Sequence, residues 1–243
     1  MMKWSTAVSI HKEGKLYVRG QELNKLIGKA SFSEMIFFIL KGKMPKENER
    51  KLLDAILVSS LEHGVEVPSA YVPRVIVSTG NQMNTALAGG LLAIGDYHGG
   101  AIEKSAMNLQ SKQSAKAIVK EAISNKERIA GLGHKIYKET DPRSEVLFKY
   151  AKTLKLRGKF FDKAQEIARE FEKQSGKKLV LNVDMAMAAA ISELGFDYRL
   201  GKAFFCLGRL PGMIAHTYEE LTEEKPYRRF EEGDVIYRGS KIK

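Results

Sequence analysis

The sequence predicts an all-α protein with a minor β element near its N-terminus. After residue 30 the apolar residues recur at helical spacing through most of the chain. Before that point, residues 7 to 20 show short alternating stretches around Lys12-Glu13-Gly14, which is typical of a β-hairpin. The chain contains no internal repeat and no low-complexity linker, so we expect one domain over residues 1 to 243.

Signals at helix ends divide the helical part. Ser31 followed by Glu34 predicts a capping box ahead of an apolar run. Pro45 is expected to open a helix over about residues 46 to 63. The tail after Lys225 is polar and irregular. Further helical segments are expected over residues 70 to 95 with a break near Gly80, 99 to 125, 144 to 174 with an interruption near Gly158, 179 to 195, and 200 to 221.

Composition and charge limit the classes of function. Hydrophobic residues make up 44% of the chain and charged residues 28%, as in ordinary globular proteins. The net charge is +11, but Lys and Arg are interleaved with Asp and Glu rather than forming the basic run of a nucleic-acid tail. No signal sequence and no apolar stretch of about 18 residues is visible. We therefore expect a cytoplasmic protein that binds neither nucleic acid nor membrane.

The histidines differ in their surroundings. His11 lies in the predicted hairpin and His216 inside a late helix, so an ordinary surface or core position is favoured for both. His98 is followed by two glycines, which allow a tight turn and a close approach of a ligand to the backbone. An ordinary loop position is the alternative for His98.

The segment GLGHKIYKETDPR, from Gly131 to Arg143, places two glycines ahead of His134. It is rich in charge and ends in an arginine, which can bind a carboxylate through two parallel hydrogen bonds. The residues alone leave two interpretations open, a charged surface loop and a site for an anionic substrate.

Asp184 and Arg209 are charged residues in apolar surroundings. Asp184 precedes the run Met185 to Ala190, and a buried carboxylate is costly unless it is paired or protonated. Either Asp184 or Asn182 caps a helix here, or Asp184 is a general base whose pKa is raised by desolvation. Arg209 is flanked by glycine and apolar residues, so it requires an anionic partner.

Several kinds of chemistry lack their motifs. The sequence contains no HExxH, no cysteine pair, no GxSxG, and no Walker or GxGxxG pattern. We therefore expect no metal and no separate cofactor. The one cysteine, Cys206, lies in an apolar run and is expected to be a buried, unreactive thiol. The remaining histidines, aspartate and arginines suit acid–base chemistry on a polycarboxylate.

A series of motifs then carries a family resemblance. After GKLYVRGQELNKLIGKASFSEMIFFILKGKMP come LEHG, YHGGAIE, GLGHKIYKETDPR, LNVD and LGRLPGMIAH. In this order the chain resembles the citrate synthase superfamily, which includes citryl-CoA lyases and the cleaving module of ATP-citrate lyase. The resemblance implies a citrate-synthase-like helical fold with a large and a small lobe, the small lobe over about residues 120 to 200. It also implies a homodimer.

The resemblance further implies Claisen-type chemistry on acetyl-CoA and oxaloacetate. Asp184 resembles the base that removes the α-proton of acetyl-CoA. His98 resembles the histidine that hydrogen-bonds the enolate oxygen, and His134 the one that polarises the oxaloacetate ketone. In the cleaving direction, His134 is expected to take the C3 hydroxyl proton and Asp184 to return a proton to the enolate carbon.

Substrate-binding positions are also implied. The residues that match carboxylate-binding positions are His63, Arg143 and Arg209. Arg228 is a stand-in for a family arginine supplied by the second subunit, because the position that aligns best with it is Lys225. The cations expected to meet the CoA phosphates are Lys126, Arg128, Lys135 and Lys138.

The chain departs from ordinary citrate synthases in length. Those proteins carry extra helices ahead of the histidine that matches His63, whereas only 18 residues separate Pro45 from His63 here. The short design and the sequence GLLAIGD before His98 resemble citryl-CoA lyases. A histidine at position 98 instead resembles the synthases.

The sequence therefore favours a citryl-CoA lyase that releases acetyl-CoA and oxaloacetate, with coenzyme A present only as part of the substrate. A separate citryl-CoA synthetase is then a candidate partner. The alternative is a compact citrate synthase or 2-methylcitrate-type synthase, because cleavage and condensation use the same residues. A third hypothesis is a non-catalytic basic binding subunit, motivated by the net charge of +11. It predicts nucleic-acid affinity that falls steeply with salt.

Overall fold

The computed structural model describes residues 3 to 241, and most of them are helical. The all-α prediction is therefore confirmed. The strands are β1 (Ser9–Lys12), β2 (Lys15–Val18) and β3 (Gln21–Glu22). The helices in this part of the chain are α1 (Phe32–Lys41), α2 (Glu47–Ser59), α3 (Pro68–Ser78), α4 (Met83–Leu92), α5 (Ala101–Gln110), α6 (Ala115–Ser124), α7 (Pro142–Thr153), α8 (Lys159–Ser175), α9 (Val183–Glu193) and α10 (Gly201–Glu223).

The predicted N-terminal hairpin is present. β1 and β2 pair antiparallel, with Ser9 opposite Val18, and the two turn residues Glu13 and Gly14 both have positive φ. Positive φ at both positions matches the right-handed twist of the flanking strands. A third strand that was not predicted, β3, pairs antiparallel with β2, so the hairpin is part of a three-stranded sheet.

The predicted helix ends agree with the structure at most positions. Ser31 caps α1 through a full capping box, in which Glu34 N–H donates to Ser31 Oγ and Ser31 N–H donates to Glu34 Oε2. α3 and α4 are separated around Gly80, and Gly158 is the N-cap of α8, as predicted. α2 is shorter than predicted, because it ends at Ser59 rather than near residue 63.

By internal contacts the chain divides into two compact units. The first comprises the described residues up to 60 together with residues 99 to 208. The second comprises residues 61 to 98 and the described residues from 209 onward. The small lobe expected over about residues 120 to 200 lies within the range of the first unit and stays a prediction.

The core of the first unit is built around α9. This helix packs against α2, α5, α7 and α8, and its alanines at positions 186 and 188 to 190 are fully buried. Small side chains allow neighbouring helices to approach closely, which explains why this apolar segment is rich in alanine. The N-terminus of α9 is thereby held in a fixed place, and Asp184 lies in its first turn.

The second unit contains the pair α3 and α4 and the later part of α10. α3 and α4 pack against each other, with Val77 and Ala86 buried. This unit carries the segment with His63, the segment with His98, and the polar tail. Within residues 3 to 241, no helix combines the length and apolarity that crossing a membrane requires.

Candidate active site

His134 lies in the loop between α6 and α7, and the backbone holds its ring. Nδ1 accepts hydrogen bonds from the N–H groups of Ile136 (3.1 Å) and Tyr137 (3.2 Å). The Tyr137 ring packs against the imidazole with 4.7 Å between centroids. These contacts favour the neutral tautomer that carries its proton on Nε2. In that tautomer His134 is a hydrogen-bond donor at Nε2.

Arg143, in the first turn of α7, is oriented by Asp141, which caps the same helix. Asp141 is 1% exposed and accepts hydrogen bonds from Arg143 Nε (3.1 Å) and Nη2 (3.0 Å). Arg143 Nη2 also lies 3.2 Å from His134 Nε2. The guanidinium can only donate, so this contact is a hydrogen bond only when Nε2 is the acceptor and the ring proton is on Nδ1. The backbone contacts at Nδ1 favour the other tautomer, so the two sets of contacts compete for the ring.

Electrostatics keep His134 neutral and Asp141 ionised. Burial lowers the pKa of His134, Asp141 raises it, and the charges of Arg143 and Lys138 lower it again, for a net decrease. Burial raises the pKa of Asp141, but hydrogen bonds from Arg143 and from Val183 N–H outweigh it and leave that pKa below its ordinary value. The result is a fixed negative charge behind Arg143 and a neutral donor beside it.

Asn182, not Asp184, caps α9. Asn182 Oδ1 accepts hydrogen bonds from the N–H groups of Asp184 (3.0 Å) and Met185 (3.3 Å). Asp141 Oδ2 accepts one from Val183 N–H (2.9 Å). These two side chains therefore occupy the first N–H groups of the helix. Asp184 itself is half-buried, and its carboxylate is not the cap of these N–H groups. The general-base interpretation of Asp184 stays a prediction.

The His134 loop is attached directly to the start of α9. Gly133 N–H donates to Val180 O (2.7 Å), Asn182 N–H donates to Gly131 O (3.0 Å), and Asn182 Nδ2 donates to Gly133 O (2.9 Å). Gly131 has a φ of +84°, and a Cβ there would lie 2.7 Å from the Met185 Cβ. A side chain would push the loop away from the helix. The first unit thus brings His134, Arg143 and Asp184 together on a single framework.

His98 belongs to the second unit and is held by a buried serine. Its Nε2 lies 2.8 Å from Ser69 Oγ in the first turn of α3, and Ser69 is fully buried. Its backbone forms a two-bond bridge with Gly95. Burial lowers the pKa of His98, and the charges of Arg209 and His63 lower it further. His98 is therefore neutral at pH 7, as required of a donor to an enolate oxygen.

Three predicted carboxylate-binding residues belong to this unit, and two of them influence His98. Arg209, on α10, is 4% exposed, and His63 lies on the exposed segment between α2 and α3. The charges of both lower the pKa of His98. His63, His98 and Arg209 all belong to the second unit.

Arg228 is engaged within its own chain. Its Nε and Nη2 each donate to a carboxylate oxygen of Glu220 at 2.8 Å, and Glu220 is buried. Arg74 Nε donates to the same carboxylate at 2.7 Å. The role of Arg228 in a partner's site stays a prediction. It requires the guanidinium either to release Glu220 or to bind a substrate carboxylate in addition to Glu220. Lys225 is exposed.

The four cations predicted to bind coenzyme A lie with His134 in the loop between α6 and α7, and they are exposed. Lys138 Nζ donates to His134 O at 3.3 Å. Exposure suits contact with phosphate groups in solution. The exposed residues in question are Lys126, Arg128, Lys135 and Lys138.

Sequence reasoning offered Asn182 as a possible cap but missed Asp141 and Ser69 as partners that position these groups. Asp141 was visible as the residue before a proline, which is where caps occur. Ser69 had no signal, because it is distant from His98 in the chain. The Cys206 thiol is half-buried rather than buried, and burial raises its pKa. Among residues 3 to 241, no group of three or more potential ligands could hold a metal ion.

Comparisons with known proteins identify the family of the chain. The family profile for the C-terminal domain of citrate synthase matches residues 45–238. Citrate synthase from Heyndrickxia coagulans is 31% identical over 223 residues, which cover 87% of this chain and 57% of that protein. The chain thus spans little more than half the length of the curated relatives it matches.

Solved structures match over the whole chain. Citryl-CoA lyase from Hydrogenobacter thermophilus has a TM-score of 0.93 and 46% identity, covering 99% of this chain and 96% of that one. ATP citrate lyase from Methanothrix soehngenii has a TM-score of 0.85 and 22% identity, covering 99% of this chain and 42% of that one, which supports the fold. With the family profile, these likenesses show that the chain belongs to the citrate synthase family.

Proposed function

We propose that this protein is a citryl-CoA lyase, which cleaves citryl-CoA to acetyl-CoA and oxaloacetate. The observation that carries the proposal is the end-to-end match to a citryl-CoA lyase, at 46% identity and 96% coverage of that chain. Citrate synthases match over only about half their length. Coenzyme A takes part only as a portion of the substrate.

Cleavage breaks the C2–C3 bond, and its electrons pass to the thioester carbonyl. His98, kept neutral by burial and by nearby positive charge, donates a hydrogen bond to the enolate oxygen. Asp184 in its protonated form gives its proton to the enolate carbon and forms acetyl-CoA. The remaining carbonyl at C3 belongs to oxaloacetate.

His134 acts on the oxygen of C3. The hydroxyl proton must leave as the carbonyl forms, and His134 receives it at Nε2 when the ring is in the tautomer with its proton on Nδ1. That tautomer gives up the two backbone hydrogen bonds at Nδ1. The tautomer favoured in the structure instead donates to the ketone of oxaloacetate, which is the product side of cleavage.

Carboxylates and phosphates are bound by the remaining cations. Arg143 and Arg209 are the carboxylate ligands that the proposal relies on most, because guanidinium binds carboxylate bidentately. His63 and, across a homodimer, Arg228 complete this set. The exposed Lys126, Arg128, Lys135 and Lys138 meet the CoA phosphates. We further propose a cytoplasmic homodimer supplied with citryl-CoA by a separate synthetase.

The alternative is a compact citrate synthase or 2-methylcitrate synthase. It is favoured by one observation, the histidine at position 98 with a pKa that keeps it neutral. It also draws on the identity of about 30% to several citrate synthases.

The test compares both directions on the same preparation. Purified protein is given citryl-CoA, and oxaloacetate release is followed with malate dehydrogenase. In parallel it is given acetyl-CoA and oxaloacetate, and free thiol is followed with a thiol reagent. Rapid release with little condensation is the expected result. Condensation to free citrate that is faster than release would instead assign the protein as a synthase.

A further inference from the structure

The segment that carries His63 is held by the side chain of the residue before it. Glu62 Oε1 accepts hydrogen bonds from His63 N–H (2.6 Å) and Gly64 N–H (2.7 Å). Burial raises the pKa of Glu62, but these two donors and His216 outweigh it and leave the pKa below its ordinary value. A charged carboxylate therefore fixes the backbone at His63.

Glu62 is in turn held by one face of α10. His216 Nε2 lies 3.2 Å from Glu62 Oε2. One turn earlier, Gly212 leaves the space that the segment needs, because a Cβ there would lie 2.5 Å from Leu61 O and would collide with the Glu62 carboxylate. Glycine is unfavourable in a helix interior, so the close approach is a physical reason for it here.

A line of charges continues from His216 to the tail. His216 Nδ1 lies 3.3 Å from Glu219 Oε2, and Arg74 Nη1 lies 3.5 Å from the same oxygen. Arg74 also binds Glu220, which binds Arg228. The tail is anchored beside this line, since Tyr227 N–H donates to Ser78 O at 2.7 Å. The contacts thus connect His63 to Arg228 through the second unit.

We infer that Glu62 and His216 are positioning residues for His63. Glu62 fixes the backbone from which the His63 imidazole projects, and His216 with Gly212 fixes Glu62. This inference rests on the proposed function for its effect on catalysis, because His63 is there a ligand of a substrate carboxylate. The hydrogen-bond geometry of the segment can be tested without any activity.

The kinetic test uses Glu62→Gln and Glu62→Ala in the full chain. Gln keeps an oxygen that accepts from both N–H groups, and Ala removes it. We expect Glu62→Ala to raise KM for citryl-CoA about tenfold with kcat changed less than about threefold, and Glu62→Gln to raise KM less than about threefold. A kcat that falls at unchanged KM, or equal KM values for Ala and wild type, would overturn the inference.

Amide hydrogen exchange by NMR tests the same contacts independently of the reaction. We expect the His63 and Gly64 amides to exchange at least about tenfold faster in Glu62→Ala and in Gly212→Ala than in wild type. Glu47→Gln, which removes an exposed ion pair with Arg50, is the matched control and should leave both amides unchanged. Unchanged amides in Glu62→Ala would overturn the inference. If wild type cleaves no citryl-CoA, the proposed function fails and this measurement still decides the positioning role.

Discussion

Nη2 of Arg143 and Nε2 of His134 lie 3.2 Å apart, while two backbone N–H groups donate to Nδ1 of the same ring. A neutral imidazole has one acceptor nitrogen, so Arg143 and the backbone compete for the tautomer of His134. Asp141 fixes the position of the Arg143 guanidinium in this contact. The tautomer decides whether His134 Nε2 donates to the oxygen on C3 of the substrate or accepts its proton in the proposed reaction.

Asp141→Asn tests this arrangement. The amide keeps the size of the side chain but loses the negative charge that holds Arg143, so we expect stability to fall by about 2 kcal/mol. We also expect KM for citryl-CoA to rise, because Arg143 loses its orientation. Denaturant unfolding and steady-state kinetics measure the two effects. Wild-type KM in a folded Asp141→Asn protein would show that Asp141 does not orient Arg143.

Asn182→Ala tests whether the cap of α9 matters for activity as well as for stability. Loss of a helix cap costs about 1 kcal/mol, and here the hydrogen bond to Gly133 O is lost as well. Ser114 caps α6 away from the site, so Ser114→Ala is the matched control. We expect both variants to lose stability and only Asn182→Ala to lose kcat, by about tenfold. Equal kcat in the two variants would contradict the account.

Ser69→Ala tests how His98 is held. The hydroxyl lies 2.8 Å from His98 Nε2, and removing it takes away a contact that orients the ring and its tautomer. We expect kcat to fall about tenfold with little change in KM. Ser192, a buried serine in α9 that donates to Ala188 O and accepts from Gln110 Nε2, provides the control Ser192→Ala. A kcat for Ser69→Ala equal to that of the control would exclude this role.

The fold was predictable where local signals decide the structure. Ser31 with Glu34, Gly80 and Gly158 mark helix ends through caps and backbone freedom, and all three act as expected. β3 was missed because a strand of two residues is too short to show alternation of apolar and polar residues. It forms by pairing with β2.

The site was predictable residue by residue but not as a network. His98 and His134 stood out through the glycines around them. Ser69, Asp141 and Glu62 were not singled out, because each also has a partner that is distant in the chain. Whether Asn182 or Asp184 caps α9 was also open until the hydrogen bonds of that helix were known.

Stability should depend on pH through His98 and His134. Burial is the first cause that lowers the pKa of each below the ordinary value of about 6.5. The unfolded chain therefore binds more protons than the folded one below that pH, and stability is lost as pH falls. We expect the free energy of unfolding to decrease from pH 7 to pH 5. The loss should be smaller in His98→Asn/His134→Asn, and an equal slope in this variant would contradict the pKa shifts.

The rate of oxaloacetate release from citryl-CoA in wild type and in Asp184→Asn tests the proposal that the protein cleaves citryl-CoA with Asp184 as the proton donor. Asp54→Asn, which removes a partially exposed carboxylate paired with Arg50, is the control. We expect rapid release by wild type and by the control, and a rate of release that is about a thousandfold lower in Asp184→Asn. No release by wild type, or equal release by Asp184→Asn, would contradict the proposal.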